Sequence, residues 1–309
     1  MLYFDHAATT PVHPKVVKKM EDVSRQDYGN PSSVYSSGRV AKSIIEDARS
    51  QIASMIDASP SEIYFTGSGT EANNIVLWSM LYNEKKHVIT SAIEHPAVLK
   101  VLEELQYFGI TFDVLPVDST GLVDPKDVEM AIKKDTGMIS IMYVNNEIGT
   151  IQSLQKLIEI SKKRSILFHS DCVQVIGKLP LSVLKIEADY MTFSAHKFYG
   201  PKGIGFLYRR KGAPLRPLVI GGGQESNIRA GTENISGIAG LGVAAKLAYQ
   251  NLNSRIDHLF QLEKYFKNNI IQKLPHIIFN GNNDQHIPGL CSITIPRKKN
   301  EIVLAKLDR

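Results

Sequence analysis

The feature that most constrains this chain is the alternation, between residues 34 and 208, of short apolar runs with longer runs of helical period. Val40, Ile44, Ala48, Ile52 and Met55 keep helical spacing and predict a helix over 34–57, closed by Ser59-Pro60. A short strand follows at Ile63–Phe65, then a helical run from Glu71 to Tyr82. The alternation continues with strands at His87–Thr90, Thr111–Leu115, Met138–Val144 and Ile166–His169. Helices are expected between them at Pro96–Phe108, Pro125–Lys133 and Leu154–Lys163. Two further strands, Tyr190–Phe193 and Ile204–Tyr208, bracket a polar loop. Strands alternating with helices of this length imply an α/β fold with a mainly parallel sheet covered on both faces.

From Gly237 a helical pattern runs on to Leu274, where Pro275 stops it. Strands at His276–Phe279 and Cys291–Ile295 and a helix at Glu301–Asp308 come next. These observations place a large domain at 1–250 and the start of a smaller α/β domain at 251–309, with residues 1–12 expected to pack on the smaller one. The last helix ends without a cap or a following strand, so the second domain is expected to be incomplete. At 309 residues and 43% hydrophobic, the chain has ample material for a core.

Charge and cysteine content narrow the function. The net charge is +5, and the basic clusters at Lys133-Lys134, Lys162–Arg164 and Arg297–Lys299 are short. They read as solvated surface and speak against a nucleic-acid partner. Two cysteines, Cys172 and Cys291, lie far apart and outside any metal-ligand spacing, so neither a disulfide framework nor a metal site is expected. No apolar run approaches membrane-spanning length and the first residues lack a signal-peptide pattern; a cytoplasmic location is expected.

Four places carry chemistry. Gly67-Ser68-Gly69-Thr70 sits between a strand and a helix, where free N–H groups and the helix dipole favour a phosphate by about 0.3–1 kcal/mol. Read alone, it is equally a tight turn with Thr70 capping the helix. Asp171 lies just past a buried strand, where open parallel sheets bind their ligands. A carboxylate there can face a cationic ring nitrogen; read alone, it is a turn or cap aspartate. Lys197 follows another apolar strand in Ser194-Ala195-His196-Lys197. A lysine there can bond an aldehyde if desolvation or nearby positive charge lowers its pKa; read alone, it is a surface lysine. His95, between a strand and a helix, can stack on an aromatic ring and move protons, or simply cap the helix. The combination decides. An amine, an acid for a ring nitrogen and a phosphate cradle are the three requirements of pyridoxal 5'-phosphate (PLP).

The successive segments FDHAATTP, GNPSS, FTGSGTEANN, AIEHPAV, VNNEIGTIQ, HSDCVQVIGKLP, SAHKFYGPKGIGFLYRR and GGGQESNIRAGTEN resemble, in order, the blocks of cysteine desulfurases from Asp5 to Asn234. The resemblance implies a fold-type-I PLP-dependent transferase with a seven-stranded, mainly parallel large domain, and a homodimer with active sites at its interface. It implies that Lys197 bonds PLP, that Asp171 holds the ring nitrogen and Gln174 the ring oxygen, and that His95 stacks on the ring and assists proton transfer. Gly69, Thr70, Ser194 and His196 would hold the phosphate, and Thr232 would reach the phosphate of the neighbouring subunit. Asn146 would orient the substrate.

The implied reaction converts L-cysteine to L-alanine and passes sulfur to an acceptor or scaffold protein for iron–sulfur cluster or thiolation pathways. Other class-V PLP enzymes, a selenocysteine lyase or an aminotransferase, fit the same blocks, as does a non-catalytic truncated PLP-binding protein. The sequence departs from the pattern in three ways. Tyr35 stands where histidine is usual, and the family's persulfide cysteine and its late arginine would both lie beyond Arg309.

Overall fold

The computed structural model describes residues 2–308. Seven strands form one sheet: β1 (Ile63–Thr66), β2 (His87–Ser91), β3 (Thr111–Leu115), β4 (Thr136–Ser140), β5 (Leu167–Asp171), β6 (Tyr190–Ser194) and β7 (Gly205–Arg209). Their order across the sheet is β1-β7-β6-β5-β4-β2-β3. The pairs β2–β3, β2–β4, β4–β5 and β5–β6 are parallel, while β7 is antiparallel to both β6 and β1. Six strands therefore point one way and β7 alone points back. The connection explains the exception. The β6–β7 link is a direct loop, which joins antiparallel neighbours, whereas parallel neighbours need a crossover.

β1, β2, β4 and β6 are buried along their whole length, as expected of a sheet covered on both faces. β3 closes one edge and is more exposed. Helix α1 (Pro14–Gln26), α2 (Ser36–Met55) and α8 (Ile235–Gln250) pack together against one side. Small residues set that approach. A Cβ on Gly242 would lie 2.8 Å from the Ala48 Cβ, and one on Gly240 would lie 2.8 Å from the Met20 Cγ. The crossover helices are α3 (Gly69–Trp78), α4 (Pro96–Leu105), α5 (Pro125–Ala131), α6 (Leu154–Lys163) and the short α7 (Val183–Ile186).

Several expectations are corrected. The helix anticipated from Gly237 to Leu274 is two, α8 and α9 (Leu252–Lys273), broken at Asn251. Both the backbone N–H and the side-chain amide of Asn251 donate to the Leu247 carbonyl, which ends α8. The strand expected over Met138–Val144 stops at Ser140, although Ile141 and Tyr143 still donate to the His169 and Asp171 carbonyls. Helix α1, with Pro14 in its first turn and His13 as its cap, had no counterpart in the sequence pattern. Of residues 1–12, expected on the second domain, Thr10 hydrogen-bonds to the loop after β6, its N–H donating to the His196 carbonyl at 2.9 Å, and just past them His13 N donates to the Tyr199 carbonyl at 3.0 Å.

Beyond α9 lie the hairpin β8 (Ile278–Phe279) with β9 (Ile293–Thr294), and α10 (Asn300–Leu307). α9 buries no residue fully. Between the two hairpin strands the chain returns to the large sheet unit, where Ile151 donates to the Gln285 carbonyl and Ile287 to the Gly149 carbonyl.

Candidate active site

Because β1 and β6 both run opposite to β7, the loops after β1, β2, β4, β5 and β6 all emerge at one edge of the sheet. Every site candidate except Thr232 lies on one of these loops or at a strand end. Asp171 ends β5, is buried, and accepts from the Asn73 side-chain amide at 2.8 Å and the Val173 N–H at 3.0 Å. Burial pushes its pKa up, and those donors together with the nearby His95 and Lys197 oppose the shift.

Lys197 closes a single 3-10 turn after β6. Its Nζ donates to the carbonyls of Ala7 at 2.8 Å and Ala8 at 2.7 Å. Partial burial lowers its pKa, against the pull of Asp171 and Asp5. Gln174, one turn after Asp171, is buried; its Nε2 donates to the Ala7 carbonyl at 2.9 Å and its Oε1 accepts from Lys178 Nζ. Burial together with the positive charge of Lys197 and Arg255 brings Lys178 down to about 7.

The Gly67–Thr70 turn opens α3, with Ser68 rather than Thr70 as the cap: its Oγ accepts from the Glu71 N–H at 3.1 Å. Thr70 is exposed. Gly69 is obligatory by packing. A Cβ there would sit 2.6 Å from Val173 Cγ2 and 3.5 Å from the Ser194 Cβ. That contact joins the turn to the residue two past Asp171 and to the end of β6. Ser194 is buried; His196 shares a hydrogen bond with the Thr9 hydroxyl through Nδ1, and burial and two lysines bring its pKa down to about 4.

His95, exposed, is the cap of α4: its Nδ1 accepts from the Ala97 N–H at 3.0 Å, a bond that does not engage Nε2. Asn146 is half-buried just past the tightly bonded Asn145. Thr232 stands apart, exposed in the loop before α8, with no hydrogen bond to the Lys197 group among the described residues.

The family description "Aminotransferase class-V" matches residues 2–309. The chain belongs to the class-V aminotransferase family. This class-V chain is 42% identical over 310 residues to a protein named cysteine desulfurase IscS from Dictyoglomus turgidum, covering 99% of the chain and 79% of the relative. It is 41% identical over 310 residues to another of that name from Methanosarcina thermophila, covering 99% and 76%. A solved structure of a NifS-like protein superposes with a TM-score of 0.96 at 38% identity, covering 99% of this chain and 85% of the other. A second, of SspA in complex with cysteine, gives 0.86 at 34% identity, covering 100% and 87%. The mostly parallel seven-stranded sheet is the fold-type-I transferase architecture of these neighbours.

The class-V site contains residues that the sequence pattern did not single out. Asn73 bridges Asp171 and the Thr192 hydroxyl; its place one helical turn after Gly69 is the signal that marks it. The carbonyls of Ala7 and Ala8 leave no side-chain signature at all. Glu94, beside His95, is buried with one oxygen lacking a partner.

Proposed function

We propose that this class-V aminotransferase binds PLP on Lys197 and acts on L-cysteine as a desulfurase. The observation that carries the reading is the convergence at one sheet edge of Lys197, the buried acid Asp171 and the packed Gly69 turn. The residues fit the cofactor. Asp171 is a buried carboxyl with a raised pKa, and a cationic ring nitrogen is the partner that offsets such burial. The Gly69 turn admits no side chain, so its backbone is open to a phosphate at the start of α3. The relatives named cysteine desulfurase, and the neighbour solved with cysteine, support the substrate.

In this reading PLP, when bound, supplies an electron sink for the substrate's α-carbon. Lys197 provides the amine that bonds the aldehyde, and its lowered pKa favours the neutral, nucleophilic form. Asp171, held by Asn73 and the Val173 N–H, keeps a proton on the ring nitrogen. Gln174 donates to the ring oxygen. Gly69, Thr70, Ser194 and His196 hold the phosphate, with Thr232 from the partner subunit of a homodimer. His95 stacks on the ring and moves protons through Nε2, and Asn146 orients the substrate. Residues 251–309 belong to the smaller domain.

In the overall reaction the C–S bond of cysteine breaks, sulfur joins a thiolate as a persulfide and alanine leaves. Burial pushes the Cys172 thiol up, and half-buried Cys291 is pushed up to about 11. Neither is the exposed thiolate that sulfur transfer needs. A thiolate other than these two takes the sulfur, and an acceptor or scaffold protein receives it.

The test is borohydride trapping of the protein mixed with PLP, followed by peptide mapping. Label at Lys197 is expected; label elsewhere, or none, ends the reading. Added cysteine is expected to change the visible spectrum, with alanine release limited until an acceptor thiol is supplied. Fast, repeated turnover by residues 1–309 alone would overturn the exclusion of Cys172 and Cys291.

A further inference from the structure

Glu94 immediately precedes His95, yet its side chain turns inward. It is 6% exposed. Its Oε1 accepts two hydrogen bonds, from the Ser91 hydroxyl at 2.6 Å and from the Met142 N–H at 2.9 Å, while Oε2 has no partner among the described residues. The first bond closes the turn between β2 and α4 on itself. The second ties that turn to the extended segment after β4. One more link runs in parallel, from the Asn145 side-chain amide to the Ile93 carbonyl at 3.0 Å. The turn carries His95, and the segment runs on to Asn146.

We propose that Glu94 is a positioning residue that fastens the His95 turn to the Met142–Asn146 segment, so that the ring-stacking histidine and the substrate-orienting asparagine are set as one unit. The proposal rests on the reading of those two residues given above. A buried carboxyl suits the task because two donors meet at one oxygen, and neither has another acceptor among the described residues. Desolvation, with Asp171 at the end of β5 adding repulsion, pushes Glu94 up to about 8, against the two hydrogen bonds. At neutral pH it is therefore uncharged, and an amide of the same shape can replace it.

Glu94→Ala and Glu94→Gln test this in the PLP-loaded protein. Two readouts are followed: amide hydrogen exchange at Met142, and the cysteine concentration that half-completes the visible spectral change. In Glu94→Ala, PLP capture is expected to persist while Met142 exchanges faster and the half-saturating cysteine rises by about tenfold, the effect of losing the one Glu94 bond that joins the two segments. Glu94→Gln is expected to return both readouts to near wild type. If Glu94→Ala does not fold, Glu94→Asp, one methylene shorter, is expected to move both readouts in the same direction.

A melt series adds a readout independent of cofactor. The unfolded carboxyl ionises near its ordinary pKa while the buried one resists, so wild type should lose stability relative to Glu94→Gln as pH rises from about 5 to about 8. Unchanged exchange and cysteine response in folded Glu94→Ala, or failure of Glu94→Gln to restore them, would overturn the proposal. If wild type captures no PLP, the cofactor reading falls by itself, and Met142 exchange still judges the fastening role.

Discussion

Lys197 and Gln174 share one acceptor: the Lys197 Nζ and the Gln174 Nε2 both donate to the carbonyl oxygen of Ala7, at 2.8 and 2.9 Å. The amino-terminal strap is thus held by two of the groups assigned to the cofactor. Lys197→Ala is expected to abolish visible absorption by bound PLP and to expose residues 5–10 to limited proteolysis. Gln174→Ala should keep the covalent link and shift the absorption band. Absorption spectra and timed digestion of the two variants check both outcomes.

Arg49 and Glu225 form a two-pronged ion pair, both contacts at 2.8 Å, and both side chains are largely out of solvent. Arg49 also lies over the Phe65 ring at 4.6 Å, and Glu225 accepts from the Phe65 N–H at 2.8 Å. Glu225, Ser226 and Asn227 have positive φ in succession, so the ion pair holds a strained loop on its way to Thr232. Glu225→Ala removes the two-pronged partner of Arg49, which keeps Glu46 at 3.2 Å and the Ile63 carbonyl at 2.7 Å, and leaves the Phe65 N–H without its acceptor; it should cost about 1–3 kcal/mol, read as a shift of the urea midpoint.

Two histidines make the fold acid-sensitive. His169 lies fully inside; its Nδ1 shares a hydrogen bond with the Ser140 hydroxyl at 2.8 Å, its Nε2 has no partner, and burial holds its pKa down at about 3. His196 is held at about 4. The unfolded chain takes up these protons near the ordinary pKa of about 6.5. The stability they contribute is therefore complete above about pH 6.5 and is lost as pH falls toward the folded values. His169→Asn should flatten that loss between about pH 6.5 and about pH 4, measured by denaturant midpoints across the series.

Three glycines differ in what a methyl group would meet. At Gly205 it would lie 2.5 Å from the Phe193 carbonyl oxygen and 2.8 Å from the Ser68 backbone; at Gly69, 2.6 Å from a Val173 methyl; at Gly203 it would meet nothing within 4 Å. Backbone yields least, so Gly205→Ala should be the most destabilising. Gly69→Ala should cost about 1–3 kcal/mol and weaken PLP capture. Gly203→Ala, at φ +75, should cost only about 1 kcal/mol from backbone strain. Thermal melts and PLP titrations of the three variants rank them.

Much of the fold was legible because strands and helices keep their periods; the strand Thr111–Leu115 and the helix Leu154–Lys163 fall where the pattern put them. The break at Asn251 was not, because apolar residues keep helical spacing across it and the break depends on one side chain turning back to Leu247. Helix α1 was missed because only Val16 and Val23 are buried along it. In the site, Lys197 and Asp171 announce themselves by residue type and by position at strand ends. The strap does not: its part is played by backbone carbonyls, which every residue has. Asn73 was hidden for a different reason, since its partner lies 98 positions away.

The one reversed strand has a consequence for assembly. β6 and β7 pair in a continuous register from Tyr190↔Arg209 to Ser194↔Gly205, with the Phe193 and Phe206 rings stacked 4.3 Å apart. Their union needs only a short stretch of chain to close, whereas β1 must await a partner more than a hundred residues downstream. On arrival from the unfolded state, the lysine-bearing loop can thus take shape early, within a local hairpin, and the rest of the sheet gathers around it.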